Sequence, residues 1–382
     1  MKIVIITYEF PPKPGGIGNH AYSMAKAFES KGYSVTVIGT ADYRYAEKSA
    51  VEKFDAEQDF EILRTQQTGA KAYWRHIKTT KNTIKNLLKN NEDLQIILTG
   101  KLSLWIGLYL RIVFGKRILL TCFLHGSEIN PSAFFQRKLT YLAINVCDKI
   151  ISVSNFTASL LPISIRNKRK IEIVPNGIDL TMFGNLSDTK KIELEGNPKL
   201  LTVGAVTYRK GQHRVIKALP ELIKHYPEVH YHIVGVPRLK DEFETMAKDL
   251  CVDKHITFHG KAETHADLAG YYKSSDVFMI LSENQKDGDV EGFGIVVLEA
   301  NYFGVPVVGA KGCGIADAIN DGYNGKLVDG NSSKEIWEGV SSCLKNQLSD
   351  NCKDWANQHD WDKIIDNVIE IIKNESATDS KS

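Results

Sequence analysis

KIVIITYEFPPKPGG, residues 2–16, decides the fold of this chain. Its apolar first half has the length and composition of a buried strand, and its second half is a Pro/Gly loop. The next segment, Asn19 to Lys31, has helical periodicity, and Ser34 to Gly39 is a second apolar run. A β-loop-α-β opening of this kind predicts an α/β fold with a doubly wound parallel sheet.

The same alternation continues and then restarts after a polar tract, GNLSDTKKIELEGNP (184–198), which we interpret as a linker. We predict two Rossmann-like domains, residues 1–185 and 198–359, that face a central cleft. Ligands of such sheets bind at the carboxyl ends of the strands. The last residues, 374–382, are expected to be disordered. The expected strands are 95–98, 117–123, 149–153 and 171–174 in the first domain and 199–203, 231–234, 255–258, 277–281 and 306–308 in the second.

Composition and charge narrow the class of protein. The 382 residues are 43% hydrophobic and 25% charged, as in an ordinary globular protein, and no apolar run reaches the ~18 residues of a membrane span. The six cysteines form no CxxC pair, so we expect a reduced cytosolic chain without a disulfide framework or structural zinc. Residues 1–190 carry 26 Lys/Arg against 16 Asp/Glu, whereas residues 191–382 carry 22 against 30.

The stretch EGFGIVVLEA, 291–300, carries the strongest indication of a ligand site. If it were one helix, Glu291 and Glu299 would share an edge, two turns apart. Gly292 and Gly294 would let a phosphate approach the helix start, where free N–H groups favour anions. A nucleotide-sugar fits this layout, with Glu291 on sugar hydroxyls and Glu299 on ribose. Two solvated glutamates on an ordinary amphipathic helix are the alternative.

The glycine loop after the first strand contains Gly15, Gly16 and Gly18, so its backbone could approach a phosphate or a sugar. It differs from the GxGxxG fingerprint of dinucleotide enzymes, which disfavours an oxidoreductase. A plain turn is the other interpretation.

Two further strand ends carry polar groups suited to this chemistry. Arg209 and Lys210 follow the first strand of the second domain, where cations could hold a diphosphate leaving group, or could simply be solvated. His125 follows the strand RILLTCFL and could bond a sugar hydroxyl or support a developing charge. The DxD-like Asp287 and Asp289 have no His or Cys nearby, so we expect an acidic loop rather than a metal site.

The segment from Lys71 to Lys89 is basic, with six Lys/Arg and no acidic residue. Tyr73, Ile77, Ile84 and Leu88 form a helical stripe. The helix either packs on its own sheet or also lies on anionic lipid, where each cation contributes about 1 kcal/mol. No recognition motif accompanies the charge, so nucleic acid is not an expected partner.

In their order along the chain, these motifs resemble the GT-B retaining glycosyltransferases of family four, which include phosphatidylinositol mannosyltransferases and lipopolysaccharide or capsule hexosyltransferases. The resemblance covers nearly the whole chain. The motifs that carry it are PPKPGGIG, LLTCFLHGSEI, IISVSNFT, IVPNGIDLTMF, LTVGAVTYRKG, DVEGFGIVVLEA, GVPVVGAKGCGIADAI and GYNGKLV.

The resemblance implies a role for each candidate residue. Glu291 would contact the donor sugar, Glu299 the ribose, Lys210 the distal phosphate, and His125 the sugar beside the reacting carbon. The backbone of Gly292, Phe293 and Gly294 would meet sugar or phosphate, and Gly16 would also contact the donor. The catalytic set is then His125, Lys210 and Glu291, and the acceptor set is Gly15, Gly18, Asn19 and His20.

One departure affects the phosphate subsite. Members of this family often have arginine after the glycine that ends the first strand of the second domain, but here Gly204 is followed by Ala205. Phosphate binding would then fall to Arg209 together with Lys210. The resemblance also implies that a C-terminal helix, residues 360–374, returns to the first domain.

We therefore predict a metal-independent, cofactor-free hexosyltransferase that uses a nucleotide-sugar and acts on a glycolipid or polysaccharide precursor. The sequence GDVEGFG is similar to that of enzymes that use GDP-mannose, and a UDP-sugar is the other candidate for the donor. The enzyme would be cytoplasmic, with peripheral contact at the inner membrane if the basic helix is interfacial. A small soluble acceptor is one alternative, and a non-catalytic GT-B binding module is another.

Overall fold

The computed structural model describes residues 1–13, 15–44, 46–69, 71–90, 93–183 and 189–374. These form two compact units. The N-terminal unit contains residues 1–177 and the last helix, from Trp361, and the C-terminal unit contains residues 178–360. Part of the expected linker, 184–188, and nearly all of the expected disordered tail, 375–382, lie outside the described residues.

The N-terminal unit alternates strands and helices from its first residues onward. Its strands are β1 (Lys2–Thr7), β2 (Ser34–Ala41), β3 (Glu61–Gln66), β4 (Leu94–Thr99), β5 (Leu119–Leu124), β6 (Lys149–Ser152) and β7 (Glu172–Ile173). Apart from the last helix of the chain, its helices are α1 (Gly16–Ser30), α2 (Lys48–Ala56), α3 (Ala72–Lys89), α4 (Lys101–Phe114), α5 (Phe134–Asn145), α6 (Asn155–Ser159) and α7 (Ile163–Arg166).

The C-terminal unit repeats this alternation. Its strands are β8 (Lys199–Val203), β9 (His230–Val234), β10 (Ile256–Gly260), β11 (Val277–Ile280), β12 (Val307–Ala310) and β13 (Gly325–Val328). Its helices are α8 (Gln212–His225), α9 (Lys240–Asp249), α10 (His265–Ser274), α11 (Ile295–Tyr302), α12 (Ile315–Ala318), α13 (Ser333–Lys345) and α14 (Ser349–Gln358). The last helix, α15 (Trp361–Lys373), belongs to the N-terminal unit.

Each unit has one sheet whose strand order reverses direction at its first strand. The orders are β3-β2-β1-β4-β5-β6-β7 and β10-β9-β8-β11-β12-β13, and the paired strands are parallel. Loops that leave neighbouring strands toward opposite faces open a crevice at the reversal, between the ends of β1 and β4 and between those of β8 and β11. The predicted doubly wound sheets are present in both units.

The core of the N-terminal unit lies on both faces of its sheet. Val4 and Ile6 of β1 pack in one apolar cluster with α3 and α4, while Ile3 and Ile5 pack in another with α1 and α15. This is the period-2 alternation of a strand that is covered on both sides. On α15, Ile364, Ile365, Val368 and Ile372 are buried.

The polar tract that we interpreted as a linker is partly structured. The chain passes between the units at Gly177–Ile178, before the tract begins, and again at Asp360–Trp361. Ile178 N donates to His359 O at 2.9 Å, and Ile192 N donates to Ser274 Oγ at 2.8 Å. The described residues after 188 therefore pack on the C-terminal unit, because their backbone groups find partners there.

No helix among the described residues combines the length and the apolar character that a bilayer crossing requires.

Candidate functional site

The C-terminal unit brings Arg209, Lys210 and Glu291 together at the reversal of its sheet. Arg209 and Lys210 lie in a short 3-10 turn, Tyr208–Lys210, after β8. Glu291 lies in the loop that connects the end of β11 to α11. Since β8 and β11 are neighbours, the two loops meet beyond the carboxyl edge of the sheet, where ligands bind in such folds.

Gly211 allows the cationic turn to lie against the end of β11. It has φ +78°, and a Cβ at this position would lie 1.9 Å from Leu281 O. Any side chain there would therefore push the turn away, and only glycine adopts this backbone conformation without strain. On the other side, a Cβ on Gly204 would lie 3.3 Å from Lys210 Cε, so Lys210 lies against the backbone at the end of β8.

Both cations converge on one carboxylate oxygen. Lys210 Nζ donates to Glu291 Oε2 at 2.7 Å, and Arg209 Nη1 donates to the same atom. Burial would raise the pKa of Glu291, but the charges of Lys210 and Arg209 outweigh it and lower the pKa. Glu291 is thus a carboxylate in the free protein, and it is paired with both cations in front of α11.

The helix after Glu291 is shorter than predicted. We expected Glu291 to lie on the same helix as Glu299, but α11 begins at Ile295 and Gly294 is its N-cap. Gly294 has φ +91°, which ends any helical path on its N-terminal side. Glu291 therefore lies in the loop before the helix, so the predicted two-turn spacing along one helix edge is wrong.

The loop from Glu291 to Gly294 is held by close backbone packing. Gly314 N donates to Glu291 O at 2.9 Å, and a Cβ on Gly314 would lie 2.2 Å from Gly292 C. Gly292, Phe293 and Gly294 are buried as whole residues, with Phe293 only 2% exposed, so little of their backbone faces solvent. The Glu291 side chain, 12% exposed, is the part of this loop that reaches the surface near the start of α11, a place that favours anions.

Glu299 lies within α11, and its side chain has a protein partner. Tyr272 of α10 donates its hydroxyl to Glu299 Oε2 at 2.6 Å. Burial raises the pKa of Glu299, although the Tyr272 hydrogen bond and the Lys210 charge lower it in part. The hydrogen bond fixes the orientation of this carboxyl group.

The acidic loop near Glu291 is tied to the same cluster. Asp289 Oδ2 lies 3.1 Å from Arg209 Nε, and Asp289 N donates to Asp287 Oδ1 at 3.0 Å. Within the described part of the chain, no group of three or more His, Cys, Asp or Glu side chains is arranged to hold a metal ion.

In the N-terminal unit, His125 lies just beyond β5 with its imidazole held in place. Its Nε2 lies 2.8 Å from Thr99 Oγ1, at the end of the neighbouring strand β4. Burial lowers the pKa of His125 to about 4, so the ring is neutral near pH 7 and can bond a hydroxyl without adding charge.

His20, predicted as an acceptor contact, lies beneath His125. It is 2% exposed, and its ring centroid is 4.6 Å from that of His125 and 5.0 Å from that of Trp361. Burial, followed by the nearby His125, lowers its pKa well below the usual value. In this position His20 supports the His125 ring, while the exposed Asn19, one residue earlier, faces solvent.

The glycine loop leads directly into α1. Gly15 is the N-cap, and a Cβ there would lie 2.7 Å from Glu9 Oε2. A Cβ on Gly18 would lie 3.1 Å from Glu9 O, whereas Gly16 has open space around it. The loop thus lies close to Glu9, and Gly16 is the glycine that a ligand could approach.

Sequence reasoning missed two residues that the structure brings to these places. Glu128, three residues after His125, is 3% exposed, and its Oε1 accepts a hydrogen bond from His125 N. The isolated carboxyl group in the apolar stretch around LHGSEI was a signal that could have identified it. Tyr272 had no such signal, because its contact with Glu299 depends on how α10 packs.

Two family models match consecutive parts of this chain. The model described as Glycosyltransferase Family 4 matches residues 14–182, and that described as Glycosyl transferases group 1 matches residues 185–362.

Curated relatives match over most of their length. A GDP-mannose-dependent α-(1-6)-phosphatidylinositol monomannoside mannosyltransferase of Mycolicibacterium smegmatis is 27% identical, over 90% of this chain and 89% of the relative. A monoacylated phosphatidylinositol monomannoside mannosyltransferase of Corynebacterium glutamicum, also GDP-mannose-dependent, is 25% identical over 91% and 90%.

Solved structures share the fold. HepE of Anabaena, crystallised with UDP and glucose, has a TM-score of 0.72 at 19% identity, over 98% of this chain and 99% of its own. Sucrose-phosphate synthase of Thermosynechococcus elongatus has a TM-score of 0.73 at 16% identity, over 97% and 98%. The GT-B fold predicted from the sequence is confirmed.

Proposed function

Because the chain belongs to the group 1 glycosyltransferases, we propose that it transfers a hexose from a nucleoside-diphosphate sugar to a glycolipid or polysaccharide precursor, with retention of anomeric configuration. The chain is a glycosyltransferase that uses a nucleotide-sugar. The sugar, the acceptor and the stereochemistry are the parts that we propose.

The observation that carries the proposal is the meeting of Arg209, Lys210 and Glu291 in front of α11. A diphosphate needs cations and free N–H groups, and the hexose beside it needs hydrogen-bond acceptors. Two cations, each within 3 Å of the same carboxylate oxygen, offer both at the reversal of the sheet.

We assign the chemical roles as follows. Arg209 and Lys210 neutralise the charge that develops on the leaving diphosphate, which stabilises the transition state. Glu291 accepts hydrogen bonds from hexose hydroxyls, and Glu299, oriented by Tyr272, accepts from the ribose. In the front-face scheme, the acceptor hydroxyl attacks from the side that the diphosphate leaves, and the phosphate takes its proton. We assign His125 to the sugar on the family resemblance.

GDP-mannose is the donor that the relatives favour. The Mycolicibacterium and Corynebacterium enzymes are both GDP-mannose-dependent, whereas HepE, a more distant neighbour, was crystallised with UDP-glucose as well as with UDP and glucose. We propose GDP-mannose first and a UDP-hexose second. We also propose that no metal ion is required, since two side-chain cations are placed to neutralise the diphosphate.

The glycolipid acceptor is supported by α3. Its Ala72, His76, Thr80 and Ile84 are buried, and the stripe residues Tyr73, Ile77 and Leu88 pack against the core, so its apolar face is used within its own unit. Lys78, Lys85 and Lys89 remain exposed. We propose that this basic face contacts anionic lipid at the membrane where the acceptor resides.

A liposome assay tests the membrane contact. Replacing Lys78, Lys85 and Lys89 together by alanine should weaken binding to phosphatidylglycerol vesicles by about two powers of ten at low salt, at roughly 1 kcal/mol for each lysine. Alanine at the exposed Lys248, Lys254 and Lys261 of the C-terminal unit is the matched control. Equal binding by the two triple variants would favour a small soluble acceptor.

A thermal-shift panel of GDP-mannose, UDP-glucose and ADP-glucose tests the donor. A donor at a hundred times its Kd adds about 2.7 kcal/mol of stability, which is readily measured. We expect GDP-mannose to raise the melting temperature most, with product then identified by mass spectrometry. A protein that is not stabilised by any nucleotide-sugar and does not turn one over would be the non-catalytic binding module.

A further inference from the structure

The loop that leads from β11 to Glu291 contains Asp287 and Asp289, which the proposed function does not use. Backbone hydrogen bonds close this loop on itself: Gln285 N donates to Asp289 O at 2.9 Å, and Gly288 N donates to Gln285 O at 3.1 Å. Gly288 makes the turn with φ +90°, a conformation that favours glycine. Asp289 N also donates to Asp287 Oδ1 at 3.0 Å. The turn therefore fixes the place of Asp289 relative to the rest of the loop.

Both ends of this loop contact Arg209. At the start of the loop, Glu283 N donates to Arg209 O at 3.0 Å. At its end, Asp289 Oδ2 lies 3.1 Å from Arg209 Nε. Glu283 is itself anchored on α8, because its Oε2 lies 2.8 Å from Arg214 Nη2 and both side chains are partly buried. The loop thus holds Arg209 by its backbone at one end and by its side chain at the other.

Two carboxylates hold the Arg209 guanidinium at two of its three nitrogens. Asp289 lies beside Nε, and Glu291 Oε2 accepts a hydrogen bond from Nη1. Nη2 makes no hydrogen bond to any of the residues that the structure describes. The guanidinium is planar and its N–H groups point in fixed directions, so contacts at two nitrogens determine the direction of the third. Nη2 is therefore the nitrogen left to donate to a diphosphate.

Asp289 can keep Arg209 in place while Glu291 binds the sugar. Glu291 Oε2 also accepts a hydrogen bond from Lys210 Nζ, and we assign the same carboxylate to the hexose hydroxyls. Once a hexose binds, Glu291 is shared among more donors, whereas Asp289 stays beside Nε. A second fixed point matters in this chain because Ala205 stands where members of the family often have arginine, which leaves Arg209 as the arginine for the phosphates.

We propose that Asp289 is a positioning residue for sugar transfer: it holds the Arg209 side chain so that Nη2 donates to the diphosphate as negative charge develops there. The proposal rests on the glycosyltransferase function proposed above and adds a residue to the same site. It also gives the Asp-Gly-Asp sequence a role without a metal ion, in which Asp287 shapes the turn and Asp289 contacts the cationic side chain. Asp289 acts through Arg209 and does not touch the substrate.

Asp289→Asn tests the proposal in the full chain. Asparagine keeps the shape of the side chain and removes the charge beside Nε. The Asp289 side chain is 53% exposed, so its ion pair contributes little to stability, and the variant should melt at the wild-type temperature. With the nucleotide-sugar that is turned over, GDP-mannose or UDP-glucose, kcat should fall about tenfold, because a misplaced cation stabilises the transition state less well. KM for the donor should change much less. Asp253, an exposed aspartate of the C-terminal unit, gives the control variant Asp253→Asn.

Two further comparisons separate positioning from a general effect on the loop. Asp289→Glu keeps the charge and should recover part of the lost kcat. In the Arg209→Ala background, Asp289→Asn should cause no further loss, because the side chain that it positions is absent. The same loss in both backgrounds, or a wild-type kcat in D289N, would overturn the proposal. So would a loss that occurs with Mg²⁺ or Mn²⁺ but not in EDTA, because Asp289 would then act as a metal ligand.

The Arg209 Nε–H signal in ¹⁵N-selective NMR tests the contact without any turnover. It is identified as the signal that is lost in Arg209→Lys. We expect this signal to be the same in the wild type and in Asp253→Asn, and to shift and exchange faster with water in Asp289→Asn. An unchanged signal in D289N would overturn the proposal. A protein that turns over no nucleotide-sugar would contradict the proposed function, while the NMR result would still decide whether Asp289 holds Arg209.

Discussion

Glu291→Gln should separate sugar transfer from nucleoside diphosphate binding, two activities that a disrupted site would lose together. Glutamine keeps the length of the side chain but removes the negative charge that Arg209 and Lys210 share. We expect transfer to fall sharply, because the hexose loses its charged acceptor. We expect a nucleoside diphosphate to bind at least as tightly as before, because Glu291 no longer competes with the phosphates for the two cations, of which Arg209 keeps its contact with Asp289.

The magnitude follows from the burial of the cluster. The side chains of Arg209, Lys210 and Glu291 are 24%, 13% and 12% exposed, so water screens their charges only in part. A hydrogen bond to a charged group contributes about 1.5–3 kcal/mol, so kcat/KM should fall roughly 10- to 150-fold. Removing the carboxylate that the two partly buried cations share, with Asp289 left beside Arg209, should lower the free energy of unfolding by about 1–3 kcal/mol.

Three measurements on one variant check this reasoning. Steady-state turnover gives the loss of transfer, calorimetry gives the Kd of GDP or UDP, and thermal melts give the stability with and without the diphosphate. Glu338→Gln, on the exposed face of α13, is the control. Turnover at the wild-type rate would refute the role of Glu291 in transfer. Weaker diphosphate binding in E291Q would refute the competition that we infer between Glu291 and the phosphates.

Other outcomes follow from the same contacts. Lys210→Ala should lower kcat about 100-fold or more and weaken nucleotide-sugar binding, because it removes a hydrogen-bond donor to the charge that develops in the transition state. Lys345→Ala is the control and should change neither. Unchanged kinetics in Lys210→Ala would mean that the phosphates bind elsewhere. His76 is buried with its pKa lowered to about 4, so its contribution to stability is present above pH 6.5 and is lost as the pH falls from 6.5 to 4. Thermal melts at pH 7 and 5 should show this loss, with a smaller difference in His76→Gln; an equal difference would exclude His76 as a cause. Chelation by EDTA should leave turnover unchanged, and activity restored only by Mg²⁺ or Mn²⁺ would contradict metal independence.

Much of the fold could be predicted because each strand is a short apolar run between turn residues. β8 has the predicted bounds, α15 is one residue shorter at each end than predicted, and most other predicted elements differ by one or two residues at each end. β3, EILRTQ, was not predicted, because four of its six residues are polar or charged and it lies at the edge of the sheet, where burial is incomplete. Edge strands of this kind lack the regular pattern of apolar residues from which a strand is predicted.

The sequence identified most residues of the candidate site, but it did not predict how they are arranged. Lys210 and His125 were identified as polar groups at strand ends, which the parallel topology then places at the edges of the sheets, and Glu291 was identified as an acceptor on the helix that ends at Glu299. The helix start at Gly294 was not predicted, because the positive φ of this residue and the close approach of Ile315, 2.3 Å from where a Cβ would lie, exist only in the folded chain. Glu128 and Tyr272 depended on tertiary contacts, which one sequence does not display.

The order in which the anomers of the released sugar appear tests the central proposal most directly. GDP-mannose, whose sugar is α-linked, is incubated with the protein, with and without an acceptor, and the reaction is followed by ¹H NMR before the free sugar equilibrates. We predict that GDP is released and that mannose, or its glycoside, appears first as the α anomer. First appearance of the β anomer would contradict retention, and no turnover of GDP-mannose or of a UDP-hexose would contradict the proposed transfer itself.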